Sequence, residues 1–247
     1  MFTSPARSST KQEVRGGPRN SRLLFVSALQ FLSLALLARW VRHHPVDRLD
    51  VEITHQLQKH DSRLLQVISR CLSLLCAWQF MALVAGALAL RWWKVRRRLE
   101  AVLVVSLALV EVVCRKLLQL LIGRSRPTPL LVHVARQKSS ASFPSGHAAT
   151  ALTGWGWLFV LVSQLLKRQP LWQKVVLSSI ALVIALAGPS RVYLGEHWAS
   201  DVAGGYLFGG AWLSLSYHLY LTLKSRGVLD RGVSHPFSTS RRARFLR

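Results

Sequence analysis

Five residues in this chain have side chains suited to gripping and cleaving a phosphate ester: Arg126, His147, Arg191, His197 and Asp201. Two guanidinium forks can each hold a tetrahedral oxyanion through paired hydrogen bonds. His197 and Asp201 stand four residues apart, which puts them on one face at the start of a helix. There the carboxylate can accept from one imidazole nitrogen, fix the tautomer and leave the other nitrogen free to attack phosphorus. His147 ends the run Pro144, Ser145, Gly146, His147, where a polar loop gives way to an apolar stretch. Backbone N–H groups at a helix start seat an anion, Gly146 has no side chain to hold it away, and the Ser145 hydroxyl is one more donor. A histidine and aspartate alone also fit a capped helix start or half of a metal site. Zinc ligation by His147, His197 and Asp201 is the competing reading. The two arginines oppose it, because they repel a cation and attract an anion. Neither metal nor cofactor is therefore expected.

Six long apolar blocks, 23–41, 71–90, 101–122, 147–166, 175–194 and 202–223, must position these residues. Each is close to the ~20 residues that span a bilayer core. The expected fold is all-α, a bundle of six transmembrane helices. Between the first two, Val46, Leu49, Ile53 and Leu57 recur every three or four residues with Asp47, Asp50, His55 and Lys59 elsewhere. This pattern predicts a short amphipathic surface helix that caps the bundle or helps admit a lipid. The first block exceeds the ~7 to 15 apolar residues of a secretion signal and lacks a small-x-small site, so it reads as a retained helix. Glu111 and Arg115, spaced i,i+4, read as an ion pair within the third helix. Residues 1–22 and 225–247 are expected to be flexible basic tails, with a single membrane domain over 23–224. Three cysteines with no CxxC pair suggest neither a disulfide framework nor a zinc site.

The formal charge of +23 has a direction. Of 33 basic residues, 20 fall in the amino-terminal tail, the segments 91–98 and 167–174, and the stretch from Lys224 onward. If the helices alternate, all lie on one side, which the positive-inside rule makes cytoplasmic. Both termini are then cytoplasmic in an integral membrane protein of a plasma or inner membrane. Topology and attraction to anionic lipid explain the charge, so no nucleic-acid partner is expected. Threaded this way, 119–127, 144–147, 190–195 and 196–201 all reach the extracytoplasmic face. Ionisable groups gathered there from several spans mark a shared site.

The ordered set GRSRP, PSGH and SRVYLGEHWASD resembles the three-part signature of the type 2 phosphatidic acid phosphatase superfamily, which also contains the vanadium haloperoxidases. That signature is K-x6-R-P, P-S-G-H and S-R-x5-H-x3-D. Arg126 and Pro127 match the first part, Pro144, Ser145, Gly146 and His147 the second, and Ser190, Arg191, His197 and Asp201 the third. The resemblance covers about residues 60–220. It departs at Gln119, where the family has lysine. Lys116 lies one turn deeper with its side chain leaning inward, so Arg124 is the better placed substitute. The resemblance implies metal-independent hydrolysis of a lipid phosphate monoester or pyrophosphate, such as phosphatidate, phosphatidylglycerophosphate or a polyprenyl pyrophosphate. It implies that His197 becomes a phosphohistidine, that Asp201 orients it, and that His147 protonates the leaving group and then activates water. Arg126, Ser145, Gly146 and Arg191 would hold the phosphate oxygens. A phosphotransferase using the same residues, and a lipid-phosphate binder weakened by Gln119, remain alternatives. A haloperoxidase fits a membrane-embedded site least.

Overall fold

A computed structural model of the chain describes residues 18–60, 62–165 and 169–228, and every regular element among them is helical. Helix α1 (Pro18–His43) begins inside the stretch expected to be an amino-terminal tail. The rest of that tail, and 229–247 of the other, lie outside the described residues. Two helices are long and apolar enough to cross a membrane, Ser21–His43 within α1 and Pro170–Tyr193, which is α8. With them the chain is an integral membrane protein.

The expected surface helix is α2 (Arg48–Gln58), capped by the Asp47 carboxylate, which accepts from the Leu49 amide at 2.9 Å. Its packed face is only partly the apolar one, since Ile53 alone of that stripe lies against the core. Asp50 and Thr54 are buried, while Leu49 and Leu57 are exposed. The reason is a guanidinium below: Asp50 accepts from Arg124 at 2.7 Å, which outweighs burial of two leucines that can face lipid.

The expected uninterrupted helix 71–90 is instead two, α3 (Arg63–Leu75) and α4 (Trp78–Lys94), bent by 45°. Ala77 between them is extended, and the Trp155 indole N–H donates to the Leu75 carbonyl at 3.2 Å, taking the place of a helix bond. Helix α5 (Arg98–Ile122) is long enough to span but carries Glu111, Arg115 and Lys116 along its length. It ends on Gly123, whose φ of 65° is left-handed and turns the chain toward Arg124. Helix α6 (Gly146–Thr150) runs through a π-helical turn (Ala151–Trp155) into α7 (Gly156–Leu165). The described helices thus include two single spans, or three with the bent pair, rather than six plain apolar ones.

Helix α9 (Ala199–Ser225) forms the axis against which α1 and α6 pack. A Cβ at Gly205 would lie 2.6 Å from the Ser145 carbonyl oxygen, and one at Gly209 would lie 2.7 Å from that of Ala149. Only side-chain-free positions allow this approach, the small-residue seam by which membrane helices gain packing. At one end of the bundle Glu100 pairs with Arg97 at 2.6 Å and Lys224 at 3.5 Å, and Arg98 lies 5.5 Å from the Trp93 ring centre. At the other end, Arg124 just beyond α5 donates to the Pro45 carbonyl just beyond α1, at 2.9 Å. The site lies at this second end.

Candidate active site

Four helix ends converge here, joined by two connections. Gly123 sends the chain out of α5 to Arg124 and Arg126, and the loop after it returns through Ser142 to the start of α6. Arg191 lies in the last turn of α8, while His197 and Asp201 stand before and within the first turn of α9. His197 is 2% exposed and Asp201 fully buried, so their orientation is set by neighbours rather than by water.

Both ring nitrogens of His197 are engaged. Nε2 lies 3.1 Å from Arg126 Nη1, and Nδ1 lies 3.3 Å from the Ser142 hydroxyl. Ser142 in turn donates to Asp201 Oδ2. An arginine can only donate, so Nε2 must accept and Nδ1 carries the hydrogen. Nδ1 and Asp201 Oδ2 are 3.6 Å apart, beyond a hydrogen bond. The direct contact expected from the i,i+4 spacing is therefore replaced by a bridge through Ser142. Asp201 is committed elsewhere as well: Oδ1 accepts from Arg124 at 2.7 Å and Oδ2 from the Trp198 amide at 2.9 Å. Burial pushes the His197 pKa down to about 4, opposed by Asp201 and reinforced by the charge of Arg126. The imidazole is neutral at pH 7.

Arg126 also donates to the Glu196 carbonyl at 2.5 Å and to the Ser140 carbonyl at 2.8 Å. Arg191 is held by the Ser73 hydroxyl at 2.5 Å and the Ser69 carbonyl at 2.7 Å, and Glu196 lies 3.4 Å from its Nη1. The same Ser73 hydroxyl lies 3.4 Å from His147 Nε2. Glu196 also pairs with Lys138 at 2.6 Å. Burial opposes its ionisation, yet Lys138 and Arg191 hold its carboxyl below the usual range. Arg126, Lys138 and Ser140 line an open cleft of about 330 Å³ between the segments 123–128 and 137–141.

All seven residues singled out from the sequence fall in this cluster, but three further expected details differ. The Ser145 amide is not free for an anion, because it donates to the Asp201 carbonyl at 2.9 Å. The space left by the missing side chain of Gly146 is already filled: a Cβ there would sit 2.8 Å from Arg115 Nη1. Arg124 cannot stand in for the family lysine, since its whole fork is taken by Asp201, Asp50, Ser200 and Pro45. The Ser145 hydroxyl, by contrast, is buried without a partner among the described residues. Ser73, Lys138, Ser142 and Glu196 were not singled out. Ser142 and Glu196 flank the recognised motifs, but no spacing rule points to the other two. Among the described residues no three His, Cys, Asp or Glu side chains are grouped as a metal site would require.

The sequence is 39% identical over 98 residues to phosphatidylglycerophosphatase B of Bacillus subtilis, 38% of this chain and 45% of that one. It is 33% identical over 90 residues to an undecaprenyl-diphosphatase of Sulfolobus acidocaldarius (36% and 37%), and 37% identical over 110 residues to a lipid A 1-phosphatase of Rhizobium etli (40% of each). The chain spans less than half the length of these curated relatives. Its fold is similar to the crystal structure of a transmembrane PAP2-type phosphatidylglycerolphosphate phosphatase from Bacillus subtilis. The TM-score is 0.66 at 24% identity, over 81% of this chain and 98% of that one. The family model described as the PAP2 superfamily matches residues 99–225, just over half the chain and the part that carries Arg126, His147, Arg191, His197 and Asp201, and the chain belongs to that superfamily.

Proposed function

We propose that this protein is a membrane phosphatase that hydrolyses a lipid phosphate monoester or pyrophosphate through a phosphohistidine at His197. The observation that carries the reading is the state of His197: neutral, buried, and with Nε2 turned toward the Arg126 guanidinium. A phosphoryl group entering from the cleft takes over the Arg126 donors and meets that lone pair. Nε2 bonds to phosphorus as the bond to the leaving oxygen breaks. The ring becomes cationic, and Nδ1–H, hydrogen-bonded through Ser142 to Asp201, stabilises that charge. His147, one serine away from Arg191, protonates the departing oxygen and then takes a proton from the water that cleaves the P–N bond. A bound phosphoryl dianion favours the imidazolium that the first of these steps needs. Arg126 and Arg191, exchanging their present hydroxyl and carbonyl partners for the anion, hold the non-bridging oxygens with the Ser145 hydroxyl and the Gly146 amide, and loss of one such donor costs about a hundredfold in rate.

The same reading makes residues 23–224 one membrane domain of six crossings, the second bent and the fourth carrying a π-helical turn. Its basic end is cytoplasmic and its site extracytoplasmic. Opposite placement of the Glu100 cluster and the His197 cluster supports this. The lipid classes acted on by the relatives, judged by their names, define the first substrates to try. The test is phosphate release by the purified protein from phosphatidate, phosphatidylglycerophosphate and undecaprenyl diphosphate, with and without a chelator. Release from at least one lipid, unchanged by the chelator, is expected. No release from any lipid phosphate, or loss of release with the chelator alone, would defeat the proposal.

A further inference from the structure

Gln119 leaves the site one positive charge short of the pattern its motifs resemble, and the structure removes two candidates to replace it. Arg124 is spent on Asp50 and Asp201, and Lys116 is exposed on the outside of α5. Gln119 itself is committed to the loop, donating to the Pro144 carbonyl at 3.0 Å. One turn below it on the same helix face stands Arg115, whose side chain is 7% exposed. It makes one hydrogen bond, from Nε to Glu111 at 3.2 Å. Its two Nη groups have no acceptor among the described residues, and Nη1 lies 2.8 Å from where a Cβ on Gly146 would stand, next in the chain to Ser145, whose buried hydroxyl has no partner among the described residues.

We propose that Arg115 is a phosphate-binding residue whose Nη edge, together with the Ser145 hydroxyl, receives the oxygens of the bound phosphoryl group from below. The Nη edge of this largely buried side chain offers the paired donors that match a tetrahedral anion. Glu111 holds only Nε, so it aims the fork without occupying the edge that would meet the anion. Gly146 is glycine for this reason: any side chain would fall on the guanidinium. The expected ion pair in α5 thus exists, and it orients a ligand-binding group.

This inference rests on the lipid-phosphatase reading, and the experiment separates the two. The full chain in detergent is titrated with inorganic orthovanadate, a phosphate-shaped anion, and affinity is read from the shift in thermal midpoint beside phosphate release. Arg115→Met should bind vanadate roughly tenfold to a hundredfold more weakly, with a cooperative anion-free transition. Arg115→Lys keeps the charge but not the fork, and should lose about tenfold. Wild-type affinity in folded Arg115→Met would overturn the inference, and where Arg115→Met does not fold, wild-type affinity in Arg115→Lys would do the same. If wild type releases phosphate and His197→Ala does not, such a result leaves the phosphatase reading standing. A wild type that neither releases lipid phosphate nor binds vanadate defeats both.

Discussion

His197 is held at both nitrogens before any substrate arrives, by a donor on one side and a hydroxyl on the other. That hydroxyl is the less obvious part of the arrangement. Ser142 spans a gap between Nδ1 and Asp201 that the two cannot close themselves, because Asp201 is pinned by Arg124 and the Trp198 amide. Ser142→Ala should therefore lower kcat by about tenfold to a hundredfold and leave KM nearly unchanged, since the serine supports the imidazolium formed only as the reaction proceeds. An unchanged kcat would show that Asp201 reaches the ring unaided. The motif residues themselves were legible because their order along the chain is a signature in its own right. Their supports were not. Ser73 meets Arg191 across 118 positions and Arg124 meets Asp201 across 77, and no local pattern records such pairs.

At the scale of elements, the start of α6 is placed by α9, and the contact surface is glycine. Gly205→Val would drive a side chain into the Ser145 carbonyl, which is backbone and cannot swing aside. The expected outcome is a lower thermal midpoint together with lost phosphate release, measured on the purified variant. A Gly205→Val protein with wild-type midpoint and activity would mean that the seam does not position the site. Apolar block length revealed most of the helices, since a run of about twenty such residues has few other uses. It missed the bend at Cys76 and Ala77 because the Trp155 indole that satisfies Leu75 arrives from another helix. It also misread α2. The apolar stripe was real, but in a membrane protein an exposed leucine can face lipid, so the buried side is chosen by the polar group that has a partner, here Asp50.

For the whole molecule, charge is the informative property. The basic residues gathered around Glu100, Trp92 and Trp93 lie at the opposite end of α5 from Arg124 and the site. A membrane-impermeant maleimide applied to intact cells should label Leu130→Cys and not Lys94→Cys in a cysteine-free background, and the reverse pattern would place the site inside. Composition and spacing could announce a membrane protein with a candidate phosphate site, but not how many helices cross unbroken, because breaks and charges inside spans are stabilised only by the packed neighbours. The most direct test concerns the bond proposed at His197. Wild-type protein incubated with a turned-over lipid carrying a labelled phosphate, then rapidly quenched, should carry the label on His197 and release phosphate. His197→Ala should do neither. Full phosphate release by His197→Ala would contradict the mechanism.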